Sequence, residues 1–72
     1  MEEITAPISG KIMKILIKEG DNITEDQEIF MIEAMKMETM VYAPCGGTIT
    51  EVRVSEGDTV EEEDIMAIVE TS

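Results

Sequence analysis

The chain has 72 residues, with 17 acidic against five basic and no histidine, for a net charge of −12. That length makes one domain, which buries only about 60% of the surface its unfolded form exposes, and its acidity repels phosphate backbones and anionic lipid, so nucleic acid and membrane surfaces are poor partners. The single cysteine, Cys45, excludes an internal disulfide, and with no histidine present a transition-metal site is not expected.

The N-terminal "MEEITAPISG" is acidic and lacks the basic start and hydrophobic stretch of a signal peptide. The longest apolar run is only a few residues, too short for a transmembrane helix. The expectation is a soluble, cytoplasmic module. Against disorder stand 43% hydrophobic residues, rich in Ile and Val and regularly spaced.

Reading on, the chain repeats itself. Residues 6–33, "APISGKIMKILIKEGDNITEDQEIFMIE", align without gaps to 43–70, "APCGGTITEVRVSEGDTVEEEDIMAIVE", at a shift of 37. Ala-Pro opens each copy, and its proline suits a strand end or edge. Gly10 and Gly47 open strands whose alternating Ile15/Ile17 and Val52/Val54 mark a buried face. "EGD" follows as a turn, with glycine free to take positive φ and aspartate able to bond nearby backbone. Then come a very short strand at Ile23 or Val60, an acidic loop, and the apolar runs "EIFMIE" and "DIMAIVE". Four strands per copy give eight in two related halves. Propensity alone would draw a helix through "DQEIFMIEAMKME". The partner run "EDIMAIVE" is β-branched, and "MVYA" favours strand, so the strand reading stands and the helix is the alternative.

Residues 34–42 join the copies. If 28–33 and 38–42 are strands, the chain reverses between them and Met35 and Lys36 form a hairpin tip. Tight hairpins prefer Asn-Gly or other glycine-containing pairs, because the central residues need positive φ. A tip without glycine, in a chain that obeys turn rules at both "EGD" sites, marks a functional place. The mate of Lys36 would be residue 73, so this lysine belongs to one end only of a doubled molecule. The alternative is an ordinary exposed lysine between packing methionines. Its neighbours are apolar or acidic, which makes it a poor catalyst; a tip lysine is suited to receiving a covalent group from another enzyme.

The motif Glu33-Ala34-Met35-Lys36-Met37, with Ala-Pro…Gly at 6–10 and 43–47 and [V/I]-x-x-G-D at 17–21 and 54–58, resembles the biotinyl domain, the biotin carboxyl carrier of biotin-dependent carboxylases and decarboxylases. The resemblance covers essentially the whole chain, 1–72, as one carrier domain with half-repeats 6–33 and 43–70 and hairpin 34–42. It implies an all-β flattened barrel of two four-stranded antiparallel sheets, with biotin joined to Lys36 by a biotin protein ligase. A biotin carboxylase and a carboxyltransferase or decarboxylase would be the further partners, between which a carboxyl group is carried; the domain would supply reach rather than catalysis. On this view Met35 and Met37 are adaptable apolar contacts for partner enzymes, or else shield the hairpin edge. Glu33, Ala34 and Glu38 would help the ligase recognise the tip, or the two glutamates are simply solvated strand residues. Some bacterial acetyl-CoA carboxylase carriers have a "thumb" insertion in the first half; its absence here tilts the resemblance towards a decarboxylase, transcarboxylase, or pyruvate- or propionyl-type carboxylase. The rival readings are a lipoyl carrier domain, whose tip typically reads Asp-Lys-Ala, and an unmodified β-barrel interaction module. An independent enzyme is disfavoured by the absence of a nucleophile–base constellation.

Overall fold

A computed structural model describes residues 1–71; residue 72, the last of the expected domain, lies outside them. The described residues form eight strands and no helix: β1 Glu2–Thr5, β2 Gly10–Ile15, β3 Asn22–Ile23, β4 Glu28–Ala34, β5 Met37–Tyr42, β6 Gly47–Val52, β7 Thr59–Val60 and β8 Ile65–Thr71. The bounds of β2, β3 and β4 recur in β6, β7 and β8 at the same shift of 37 that the sequence shows. The helix-prone stretch 26–42 is therefore two strands and a turn. Pairing and burial override the propensity of its Glu, Ala, Met and Lys residues.

The strands make two four-stranded antiparallel sheets, ordered β1-β8-β6-β3 and β5-β4-β2-β7. Each sheet takes strands from both halves. Adding or subtracting 37 converts one order into the other, so the sandwich has a pseudo-two-fold axis and its halves interlock rather than stack. The accessible surface of 4499 Å² matches the roughly 4,450 Å² expected of a folded monomer of this mass.

Local chemistry explains the corners. Gly20 and Gly57 both sit at φ +94, and the carboxylates of Asp21 and Asp58 accept hydrogen bonds from the N–H groups of Lys18 and Ser55 at 3.0 and 2.8 Å. The glutamate of each "EGD" reaches across to the other half. Glu56 accepts from the Ile15 N–H at 3.2 Å, and Glu19 accepts from the Val52 N–H at 3.4 Å. The two turns also donate to opposite halves, Gly20 to the Ile49 carbonyl and Gly57 to the Ile12 carbonyl.

Strict alternation fails in two places, for one reason. β2 and β6 each carry a bulge, between Ile12 and Lys14 and between Ile49 and Glu51. The deeply buried residues of these strands are thus Ile12 and Ile49, while Ile15, Val52 and Val54 are half-buried against the core and Ile17 alone of that expected set is buried. A second bulge pair, between Glu28 and Phe30 against β5 and between Ile4 and Thr5 against β8, accompanies the runs where neighbours are both buried: Ile29 with Phe30, and Met66 with Ala67. A bulge adds a residue and local twist, which lets consecutive side chains reach the core. That core is built on Phe30, Ile4, Ile12, Ile29, Ile32, Ile49, Met66 and Val69.

The hairpin between β4 and β5 lies at the opposite pole from the start of β1 and the end of β8. β2 starts beside the hairpin, with Lys11 opposite Glu33, and ends at Ile15, from which the chain continues to the turn at Gly20. Gly20 bonds Ile49, whose partner Val69 is close to the end of β8. No helix among the described residues is long and apolar enough to cross a membrane.

Candidate functional site

Strands β4 and β5 pair from Glu28 opposite Tyr42 to Ala34 opposite Met37. That register leaves a loop of two residues, Met35 and Lys36, with φ +53 and +66. Two consecutive positive φ values define the primed turn whose twist matches a hairpin. For side-chain-bearing residues the left-handed region costs about 1–2 kcal/mol each.

The repeat shows which strain belongs to the fold. Four non-glycine residues among those described have positive φ: Asp26, Met35, Lys36 and Glu63. Asp26 and Glu63 are mates at a shift of 37, and each donates its N–H to the Ala-Pro segment of a repeat, at the carbonyls of Ala43 and Ala6. The architecture uses that corner twice. The strained pair Met35 and Lys36 lies instead in the turn between β4 and β5 that joins the two copies.

A rigid base holds the turn. Ala34 is 6% exposed beneath it. Gly10, on β2, presses against the base so closely that a Cβ there would run into the Glu33 carbonyl and lie 2.6 Å from Ile32 Cγ2 and 3.2 Å from Ala34 Cβ. Only glycine lets β2 approach this far. In the sequence Gly10 reads only as the opener of a strand; its recurrence as Gly47 in the second copy is the signal for this support.

Above the base everything is exposed. Met35 is 88% and Met37 69% accessible, whereas Met66, in the second half, is fully buried. Methionine in this chain is core material on one strand and uncovered apolar surface at the tip. Lys36 is exposed and takes no part in the one ion pair among the described residues, Arg53 with Glu51 at 3.3 Å. Glu33 and Glu38 are exposed and directly opposite each other, a like-charge pairing that weakens a hairpin by some tenths of a kcal/mol. Two local rules are broken within six residues.

Of the residues singled out by sequence, the hairpin brings together all six: Glu33, Ala34, Met35, Lys36, Met37 and Glu38. Five face solvent; Ala34 does not, and contributes a small floor rather than a contact surface. The arrangement is a protrusion and not a pocket. Two surface hollows of about 630 Å³ are lined, one by residues between Arg53 and Ile65, the other by Arg53 with residues of the N-terminal stretch 1–3, β6 and β8, and Lys36 lines neither. A primary amine on a flexible stem, free of ion pairs and held at the apex of a stiff hairpin, can enter the active site of a second protein and be acylated there.

Comparison with known proteins agrees with this geometry. A family model described as "Biotin-requiring enzyme" matches residues 2–69. The 1.3S subunit of methylmalonyl-CoA carboxyltransferase from Propionibacterium freudenreichii subsp. shermanii is 54% identical over 37 residues, covering 51% of this chain and 30% of that subunit. The biotin carboxyl carrier protein of Streptococcus mutans is 45% identical over 38 residues, 53% of this chain and 29% of its own. The chain thus matches less than a third of the length of these curated relatives. Among solved structures, a single-chain, multi-domain long-chain acyl-CoA carboxylase superposes with a TM-score of 0.92 over 99% of this chain and 7% of that one, at 22% identity, a likeness of fold alone.

Proposed function

From the premise that this chain belongs to the biotin-requiring-enzyme family, we propose that it is a biotin carboxyl carrier domain and that Lys36 is the residue to which biotin is attached. The observation that carries the assignment is the strained two-residue turn that holds Lys36, exposed, at φ +66 on the apex of β4 and β5.

The residues present fit the group. Attachment requires an amine that can leave its own protein's surface, and Lys36 is exposed with no carboxylate paired to it among the described residues. Once bound, biotin supplies a ureido nitrogen able to take up and give back a carboxyl group. The chain's own residues do the rest. Ala34 and Gly10 fix the base of the turn, so the lysine stem swings from a defined point. Met35 and Met37 offer polarizable apolar surface on either side of it, suited to fitting more than one active site. Glu33 and Glu38 put charge one step behind the tip for the loading enzyme to read. The domain carries and does not catalyse: tethering the cargo raises its effective concentration at successive sites.

The partners in this reading are a biotin protein ligase, a biotin carboxylase, and a carboxyltransferase or decarboxylase, working in the cytoplasm. The test is incubation with purified biotin protein ligase, ATP and biotin, followed by intact mass and streptavidin binding. One biotin per chain on the wild type and none on Lys36→Arg, with the melting transition unchanged, is expected. A lipoyl adduct in cells, or no adduct with a competent ligase, would overturn the assignment.

A further inference from the structure

The pseudo-two-fold axis supplies an internal control. Positions related by 37 occupy equivalent places in the two sheets, so the fold makes the same demand on both. Where the residues differ in chemistry, something other than folding has chosen them.

The outer face of the β5-β4-β2-β7 sheet carries two cross-strand rows behind the hairpin. One is Lys14–Met31–Met40 and the other is Lys11–Glu33–Glu38. The equivalent face of the other sheet reads Glu51–Ile68–Glu3 in the first row and Thr48–Glu70 in the second. Two lysines balance two glutamates on the hairpin's sheet, around half-buried methionines; its mate carries three glutamates and no lysine at these places. In a chain of net charge −12, the face continuous with the tip is the one relieved of excess negative charge. Lys11 and Lys14 are also exposed and form no ion pair among the described residues, despite the abundance of acids.

Reach decides who would use them. The bare amine of Lys36 extends only by its own side chain, so the enzyme that loads it must come within a lysine's length of the hairpin and rest on what lies beside it. The other sheet's outer face is on the far side of a sandwich whose layers are about 10 Å apart. Resting on the carrier reading, we infer that the outer face of the β5-β4-β2-β7 sheet is the docking surface for the biotin protein ligase, which presents carboxylates to Lys11 and Lys14 and an apolar patch to Met31 and Met40. The ligase surface thus carries mainly negative charge along β2, with a cation nearer the tip opposite Glu33 and Glu38.

The experiment compares two charge-reversed carriers, K11E/K14E on this face and E3K/E51K on the mate face, with K11Q/K14Q as a milder form of the first. Initial rates of biotin incorporation by a purified biotin protein ligase are measured against carrier concentration, and end-point mass is taken after prolonged incubation. Thermal melting verifies that each variant is folded. Rim charges act on encounter, so K11E/K14E raises KM on the order of tenfold at low salt with kcat kept, and the deficit shrinks as salt is raised. K11Q/K14Q falls between, and E3K/E51K loads like the wild type. Loading of folded K11E/K14E at the wild-type rate, or an equal deficit in E3K/E51K, overturns the docking assignment. Should the wild type itself end without biotin, the carrier reading falls and this inference with it; a fully loaded wild type separates the two failures.

Discussion

Replacing Gly10 with alanine puts a methyl group where the base of the hairpin already stands. The added carbon would lie 2.6 Å from Ile32 Cγ2, nearer still to the Glu33 carbonyl, and 3.2 Å from Ala34 Cβ. Two of those three atoms belong to a strand backbone or to a buried branched side chain, so β4 must move away from β2. Overpacking of this kind costs about 2 kcal/mol, or roughly 8–16 °C in Tm for a domain of this size. Gly47 supplies the control, since a Cβ there would run into the Glu70 carbonyl and lie 2.8 Å from Val69 Cγ1. Gly10→Ala and Gly47→Ala should therefore both melt lower, Gly47→Ala by at least as much because its φ of +159 adds backbone strain. Only the first displaces the Lys36 turn; the second disturbs the opposite pole. With both variants held well below their melting points, Gly10→Ala should lose on the order of ten- to a hundredfold in kcat/KM for biotin incorporation, because small misplacements of a reacting group are costly, while Gly47→Ala should load almost normally. Equal loading of the two would refute the claim that the base of the hairpin positions the lysine.

Met35→Asn places a residue tolerant of positive φ in the turn; it should raise stability by about 1 kcal/mol in denaturant titration, while slowing biotin incorporation through loss of the apolar contact. Inserting one residue between Ala34 and Met35 changes the two-residue turn to three and twists the tip; intact mass should show no biotin even though the melt persists. Phe30→Ala empties the largest fully buried side chain and should cost about 3–5 kcal/mol, enough that near-room-temperature circular dichroism shows a partly unfolded population.

The doubled sequence made the count of eight strands readable, because turn glycines and apolar runs recur together. It placed four inside each copy, whereas β1, Glu2–Thr5, precedes the Ala-Pro of the first copy and β5, Met37–Tyr42, precedes that of the second. The hairpin tip at Met35 and Lys36 was readable too, since two strand-like runs left no other place for the reversal. What stayed hidden depends on contacts between halves. Nothing in "EGD" alone says that Glu19 and Glu56 cap the opposite strands, as a carboxylate three bonds from its backbone reads as local until the folds are laid together. The exchange of strands between sheets is hidden for the same reason: β2 pairs with β7, and β3 with β6, through pieces only two residues long. The bulges at Ile12–Lys14 and Ile49–Glu51 defeated period-two reading, which assumes an unbroken pleat. Gly10's second role escaped because glycine is equally suited to opening a strand and to clearing space for a neighbouring one.

Strands β1 and β8 meet as β5 and β4 do: Glu2 lies opposite Val69 where Thr39 lies opposite Ile32, at the same shift. Topologically the molecule is a ring with two like corners, one closed by the turn that bears the amine, the other open between the start of β1 and the end of β8. Any flanking polypeptide would thus leave by the corner farthest from the cargo, and the barrel's 36 Å length would stand between a tether and the group it carries as a stiff spacer.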